Sequence, residues 1–176
     1  MILADDIVEF HASRILLLIL ICGTRDNNLK LTKLNGLTKL AKLDFFIRYP
    51  SLFERVPNSN NDIKKNNTVI ESKMIRFHYG PWDHRYYQVL PFLESRNLLK
   101  IEKDPNRNSY LFLLTEEGKQ LALDIKNDPN FKQLVDNITT VDDVLGDYSG
   151  NQLKILVYDL FKEEVADKML GEVIEP

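Results

Sequence analysis

The sequence predicts an α+β, mostly helical fold, and three observations carry that prediction. Apolar residues recur at helical spacing in segments near both ends of the 176-residue chain. Two short strand-like runs, 98–103 and 109–114, flank the turn-forming residues 104–108. The longest purely apolar run, from Ile15 to Cys22, has eight residues, too few to cross a bilayer.

Taken in order, Asp5 or Asp6 caps a first helix that passes through His11, Ile15, Leu18 and Ile19 to Cys22, where Gly23 closes it. Its C-terminal half is apolar nearly all round, the mark of a helix buried in a core. Residues 27–36 read as a connection. Gly36 opens a second helix over 37–49, ended by Pro50. In it Leu37, Leu40, Leu43 and Ile47 face one side, and Asp44 and Arg48, four residues apart, can pair. Residues 51–56 add one further turn. The asparagine-rich stretch 57–67 has too little apolar surface to offset its ordering entropy and reads as a mobile loop. Residues 69–79 have strand character, with Gly80 and Pro81 ending the strand.

The second half has a clearer rhythm. Asp83 caps a helix over 83–97 with Tyr86, Val89, Leu90 and Leu93 on one face, and Pro91 within it should kink it. The hairpin of 98–103 and 109–114 follows. Thr115, Glu116 and Glu117 start a helix to about residue 127, after which 131–145 and 149–161 are helical. The last carries Leu153, Leu156, Val157 and Leu160 on one stripe.

Helix, helix, strand, helix and two-stranded hairpin is the element order of a winged-helix domain, with 104–108 as the tip of a two-stranded wing. The expected organisation is therefore a winged-helix-like core over 1–127, interrupted by the 57–67 loop, and a C-terminal helical extension over 128–176 packed on it.

Charge is divided along the chain. Residues 25–107 carry sixteen Lys and Arg against nine Asp and Glu, whereas 116–176 carry six against fourteen. Two unlike surfaces follow, and the net charge of −3 is unlike that of a protein that only holds a nucleic-acid backbone. A lone cysteine, Cys22, excludes an internal disulfide and a multi-cysteine zinc site. The residues ahead of the apolar run include Asp5, Asp6 and Glu9 where a signal peptide needs positive charge, so a cytoplasmic protein with no membrane partner is expected.

Signals for catalysis are missing. His11 and Cys22 share a helix face but lie roughly 16 Å apart along it, too far for a dyad. His78 and His84, with Asp83 and Glu71 near, match no zinc-site spacing. The glycines are scattered, with no phosphate-binding loop, and no nucleophile elbow or metalloprotease motif occurs. The expectation is a non-enzymatic protein without cofactor or metal.

Two surfaces remain as binding candidates. The outward face of the 83–97 helix presents His84, Gln88 and Ser95 with no Lys or Arg at its centre, which argues against sequence reading. Lys39, Lys42, Lys103 and Arg107 could instead hold DNA phosphates. The densest aromatic cluster, Phe77 to Tyr87, suits a core or an interface equally. Within it Tyr86 is expected inward, and Trp82, Arg85 and Tyr87, together with Leu156 of the last helix, are the candidate partner interface.

Three segments carry a resemblance. They are Gly36-Leu-Thr-Lys-Leu-Ala-Lys-Leu-Asp-Phe-Phe-Ile-Arg-Tyr-Pro50, Met74-Ile-Arg-Phe-His-Tyr-Gly-Pro-Trp-Asp-His-Arg-Tyr-Tyr87 and Ser149-Gly-Asn-Gln-Leu-Lys-Ile-Leu-Val-Tyr-Asp-Leu-Phe161. In this order they resemble the middle-component family of bacterial three-component systems built around an ABC ATPase, of which Lamassu-type antiphage systems are the known setting. The resemblance implies a non-enzymatic, winged-helix-like subunit that joins an SMC-like ABC ATPase to an effector, often a nuclease. It would help restrain that effector until foreign DNA is sensed, touching DNA non-specifically and through the complex. No catalytic residue carries over. The alternative expectation is a stand-alone winged-helix transcription regulator.

Overall fold

In the computed structural model, the residues described are 7–25, 28, 30–59 and 73–175. Their elements are α1 (Val8–Cys22), β1 (Thr24–Arg25), β2 (Thr32–Asn35), α2 (Leu37–Arg48), α3 (Pro50–Phe53), β3 (Ile75–Phe77) and β4 (Gly80–Trp82). There follow α4 (Tyr86–Ser95), β5 (Leu99–Lys103), β6 (Tyr110–Leu114), α5 (Glu116–Asn127), α6 (Lys132–Leu145) and α7 (Gly150–Leu160). The chain is α+β and mainly helical, with a small antiparallel sheet in the order β1-β2-β6-β5 and a separate hairpin, β3-β4.

Local chemistry explains most boundaries. Thr115 accepts a hydrogen bond from the Gly118 amide and caps α5, with Glu116 and Glu117 favourably placed in the first turn. Ser149 and Gln152 form a reciprocal capping box at the start of α7. Pro50 does end α2, but as the first residue of the short α3, where its missing N–H costs nothing. The hairpin β5-β6 forms as the alternation predicts, pairing Leu99 with Leu114 through Lys103 with Tyr110, and the Asp104 amide donates to the Ser109 carbonyl across the turn.

Three sequence expectations change. The connection over 27–36 contains β2, which pairs with β6 through Lys33–Leu113, Leu34–Phe112 and Asn35–Leu111. Gly80 does not end a strand: its φ of +104° makes the turn from β3 into β4, and Pro81 lies within β4. The helix at 83–97 is shorter, and Asp83 supports its entry from outside by accepting from the Arg85 amide at 2.9 Å. Pro91 lies inside α4, which runs on to Ser95; Pro91 and Tyr87, four residues before it, are both exposed, so the lost bond falls on the side open to water. The caps proposed at Asp5 and Asp6, most of the 57–67 loop and the start of the 69–79 strand lie outside the described residues.

One continuous core runs from Ala12 to Ile174. Helix α1 is buried along its length against α4, α5, α6 and the sheet, as its all-round apolar half requires. Helix α2 is also buried on every side, packed by α1, α6, α7 and β4. The C-terminal helices therefore share the core and form the layer that closes over α2. The chain after α7 returns to the β3-β4 hairpin: the Ile174 amide donates to the Met74 carbonyl, and Ile75 bridges to Val173. No helix among the described residues is long and apolar enough to cross a membrane.

Candidate functional site

Two adjoining sites are built on the buried helix α2. The first is a sealed ion network that joins α1, α2, α4 and the end of β4. Arg14 Nε donates to Asp44 Oδ1 at 2.7 Å, and the Tyr86 hydroxyl donates to Asp44 Oδ2 at 2.6 Å. Arg48 lies 3.6 Å from Asp44 and donates to Asp83 Oδ2 at 2.7 Å. Arg85 grips both Asp83 oxygens, at 2.9 and 2.6 Å. His11 closes the ring, its Nδ1 2.9 Å from Arg14 and its Nε2 2.8 Å from Arg85.

The electrostatics follow from this geometry. Burial alone would raise Asp44, but Arg14, Arg48 and the Tyr86 hydroxyl overcome it and hold the carboxyl below its ordinary value. Burial likewise opposes Asp83, and Arg85 and Arg48 hold it well down. Burial, then Arg14, Arg85 and Arg48, lowers His11 to about 4. A neutral ring can accept from one of the two arginines and a protonated ring from neither, so His11 stays neutral here. Burial and the neighbouring Asp44 push the Tyr86 hydroxyl up. Every member is spent on another member, which makes the network a clasp between elements rather than a reactive centre.

The second site is a cavity of about 210 Å³ lined by Leu37, Thr38 and Lys42 of α2, Phe77 to Gly80 and Trp82 of the hairpin, and Tyr87 of α4. Strand pairing places Phe77 and Trp82 on one face of β3-β4, with rings stacked at 5.9 Å. Tyr86 meets Trp82 edge-on at 5.2 Å from inside, and Tyr87 meets it at 5.7 Å from outside. Gly80 is needed above the floor: a side chain there would start 3.3 Å from Lys42 Cε. Lys42, 1% exposed, donates from Nζ to the Pro81 carbonyl at 3.2 Å. Burial, then the positive charges of Arg76 and Lys154, lowers its amine to about 7.

The residues singled out from sequence are divided by this arrangement. Trp82 and Tyr87 share the cavity wall, with Tyr87 62% exposed and Trp82 half-buried. Tyr86 is buried, as expected. Arg85 is held by Asp83 and His11 and belongs to the ion network. Leu156 lies on α7, half-buried and packed against the core. Of the candidate phosphate contacts, Lys103 and Arg107 are exposed on the β5-β6 hairpin. Lys39 is half-buried and donates to the Gly146 carbonyl. Lys42 is corrected: α7 and β4 cover α2, so its amine lies inside the protein and not on a phosphate-binding surface. His78 and His84 both pack against Phe77, and no group of three metal-ligating side chains occurs among the described residues.

The sequence reading missed the ion network, although its local signals are present: His11 and Arg14 are three apart, and Asp44 and Arg48 four apart. What brings these pairs together is the α1–α2 contact, which no local spacing encodes.

The class so defined is a small, mainly helical α+β protein with an aromatic cavity set beside a buried ion network. Comparison with known proteins adds no relative: no family model, curated protein or solved structure matches the chain.

Proposed function

We propose that the protein is a non-enzymatic, cytoplasmic bridging subunit of an antiphage defence complex, linking an SMC-like ATPase to an effector, often a nuclease, and helping control its activation by foreign DNA. The observation that carries this reading is the aromatic edge of the β3-β4 hairpin. Tyr79 is 61% and Tyr87 62% exposed beside the half-buried Trp82, at a hairpin that Lys42 of α2 ties down through the Pro81 carbonyl. Exposed aromatic anchors on a fixed scaffold are what partner hot spots are made of. The segment resemblance supplies the identity of the partners.

A winged-helix-like core fits the strand order. Strand β2, between α1 and α2, pairs with β6, and α4 precedes the β5-β6 hairpin, which would be the wing. The same order favours the second reading, a stand-alone DNA-binding regulator. Against it, the outward face of α4 offers Tyr87, Gln88, Pro91 and Ser95, with His84 just before the helix and no guanidinium or ammonium at its centre to hold bases or phosphates.

Co-expression of the tagged chain with its operon neighbours tests the proposal. A stable complex with a large coiled-coil ATPase is expected, and Tyr87→Asp, Trp82→Ala or Leu156→Asp should disrupt it. Tyr87→Asp is the decisive variant, because its exposed position leaves the core untouched. A lone dimer that binds one DNA sequence sharply at moderate salt would overturn the bridging role in favour of the regulator.

A further inference from the structure

We propose that the cavity between α2, the β3-β4 hairpin and the start of α4 binds a single-ring aromatic carboxylate, its ring among Phe77, Trp82 and Tyr87 and its carboxylate on the Lys42 ammonium and the Trp82 indole N–H. This inference stands apart from the bridging role, because it concerns the isolated chain.

Size sets the first limit. An apolar cavity of about 150 Å³ is enough to hold benzene. The 210 Å³ here therefore suits one substituted ring and is small for a nucleotide or a drug-sized ligand. Aromatic walls on the hairpin and α4 offer stacked and edge-on contact to a ring.

Polar groups set the second limit. The Lys42 ammonium has three N–H donors, and the Pro81 carbonyl takes one. The Trp82 Nε1 is buried and has no acceptor among the described residues. A buried donor left without an acceptor costs free energy, so a ligand that supplies one is favoured. Among the described residues, the charged and titratable groups around Lys42 are Arg76 on β3, Lys154 on α7, His78 and Tyr79 in the hairpin turn and Tyr87 on α4, none of them an acid. Lys154 stands over the Tyr79 ring, with its amine 5.3 Å from the ring centre. A cationic ligand meets repulsion in this setting, and a purely apolar one leaves both donors unanswered. A carboxylate on an aromatic body answers both.

Binding should strengthen as the pH falls through about 7, because the charged amine is the form a carboxylate needs and burial lowers Lys42 to that value. The test uses the single tryptophan of the sequence, whose indole N–H gives one resonance in a nitrogen-15 correlation spectrum. Phenylacetate titrated into the full-length labelled chain should move that resonance saturably, with Kd on the order of 0.1–1 mM. Phenylacetamide and phenethylamine should bind at least about tenfold more weakly, matching the loss of one charged hydrogen bond. Lys42→Met should weaken phenylacetate by a similar factor and remove the pH dependence, while Lys119→Gln, on α5 and outside the cavity, keeps both. Preserved amide dispersion shows that Lys42→Met is folded, and Lys119→Gln, exposed on α5, gives a second, mild variant. No movement of the indole resonance at about 10 mM phenylacetate, a concentration well above the expected Kd, would overturn the proposal. So would equal binding of phenylacetamide, or unchanged binding in Lys42→Met.

Discussion

Asp44 and Lys42 lie two residues apart on α2, both fully enclosed, and the protein treats their charges in opposite ways. Around Asp44 it gathers Arg14, Arg48 and Tyr86, so the carboxylate stays ionised below its ordinary range. Around Lys42 it gathers aromatic rings, one backbone carbonyl and two further cations, so the amine is pushed down to about 7. Side chains two apart on a helix point to different sides. One side of α2 meets α1 and α4, where the ion network clasps the fold; the other meets the hairpin and α7, where the cavity lies. A charge that is fully answered holds elements together. A charge that is left partly unanswered is poised for something outside the chain.

The sharpest way to break this comparison is to remove the carboxylate. Asp44→Ala strands two buried guanidinium groups and the Tyr86 hydroxyl, and a loss of about 3–5 kcal/mol is expected in chemical denaturation. Such a loss would consume much of a small protein's stability. A cost below about 1 kcal/mol would mean that the network relaxes without its centre.

Acid should attack the same side next. His11 is held near 4 in the folded protein against an ordinary 6.5, so the unfolded chain binds more protons between those values. Stability must therefore fall as the pH drops from about 6.5 towards 4. Asp44 and Asp83, held below their ordinary values, extend the loss as the pH falls further through the carboxylate range. His11→Gln should flatten the upper part of that decline in a pH series of thermal melts and leave the lower part. An unchanged slope between pH 6.5 and 4 would show that the ring does not titrate with folding.

Lys42 should respond with the opposite sign. Removing an amine that burial disfavours when charged, Lys42→Met is expected to raise stability near neutral pH by about 1–3 kcal/mol. Because the folded amine loses its proton near 7 and the unfolded one near 10.5, wild-type stability rises with pH across that window. The gain of the variant should be largest at or below neutral pH and fade towards pH 10.5. A destabilised Lys42→Met would instead place Lys42 with the clasp.

How much of this was legible depends on how local the cause is. The helix starts near Thr115 and Ser149, the β5-β6 hairpin and the inward face of α4 at Tyr86, Val89 and Leu93 are written in adjacent residues, and the sequence reading finds them. Strand β2 escapes because its four residues bury only Leu34 and gain their pairing from β6, nearly eighty residues later. Lys42 escapes for the same reason. Its spacing on α2 suits a solvated face, and only the arrival of α7 and the return of β4 enclose it. Gly80 carries a clear signal with two outcomes, since a positive-φ glycine turns a hairpin as readily as it stops a strand. The aromatic cluster is dense in the sequence, and its division into inward Tyr86 and outward Tyr87 follows from their places on α4.

The smallest expected effect on stability is the one that best separates clasp from contact surface. Tyr87 is mostly exposed on α4, and its ring only covers the outer edge of Trp82. Tyr87→Asp should therefore change folding free energy by no more than about 0.5 kcal/mol. An aspartate beside the cavity should nevertheless weaken phenylacetate through repulsion between like charges, and it should remove an aromatic anchor from the partner surface. Loss of complex formation and of ligand binding without loss of stability would locate both roles at the hairpin edge. Loss of stability alone would return Tyr87 to the core, and the exposed aromatics would then cover Trp82 and do no more.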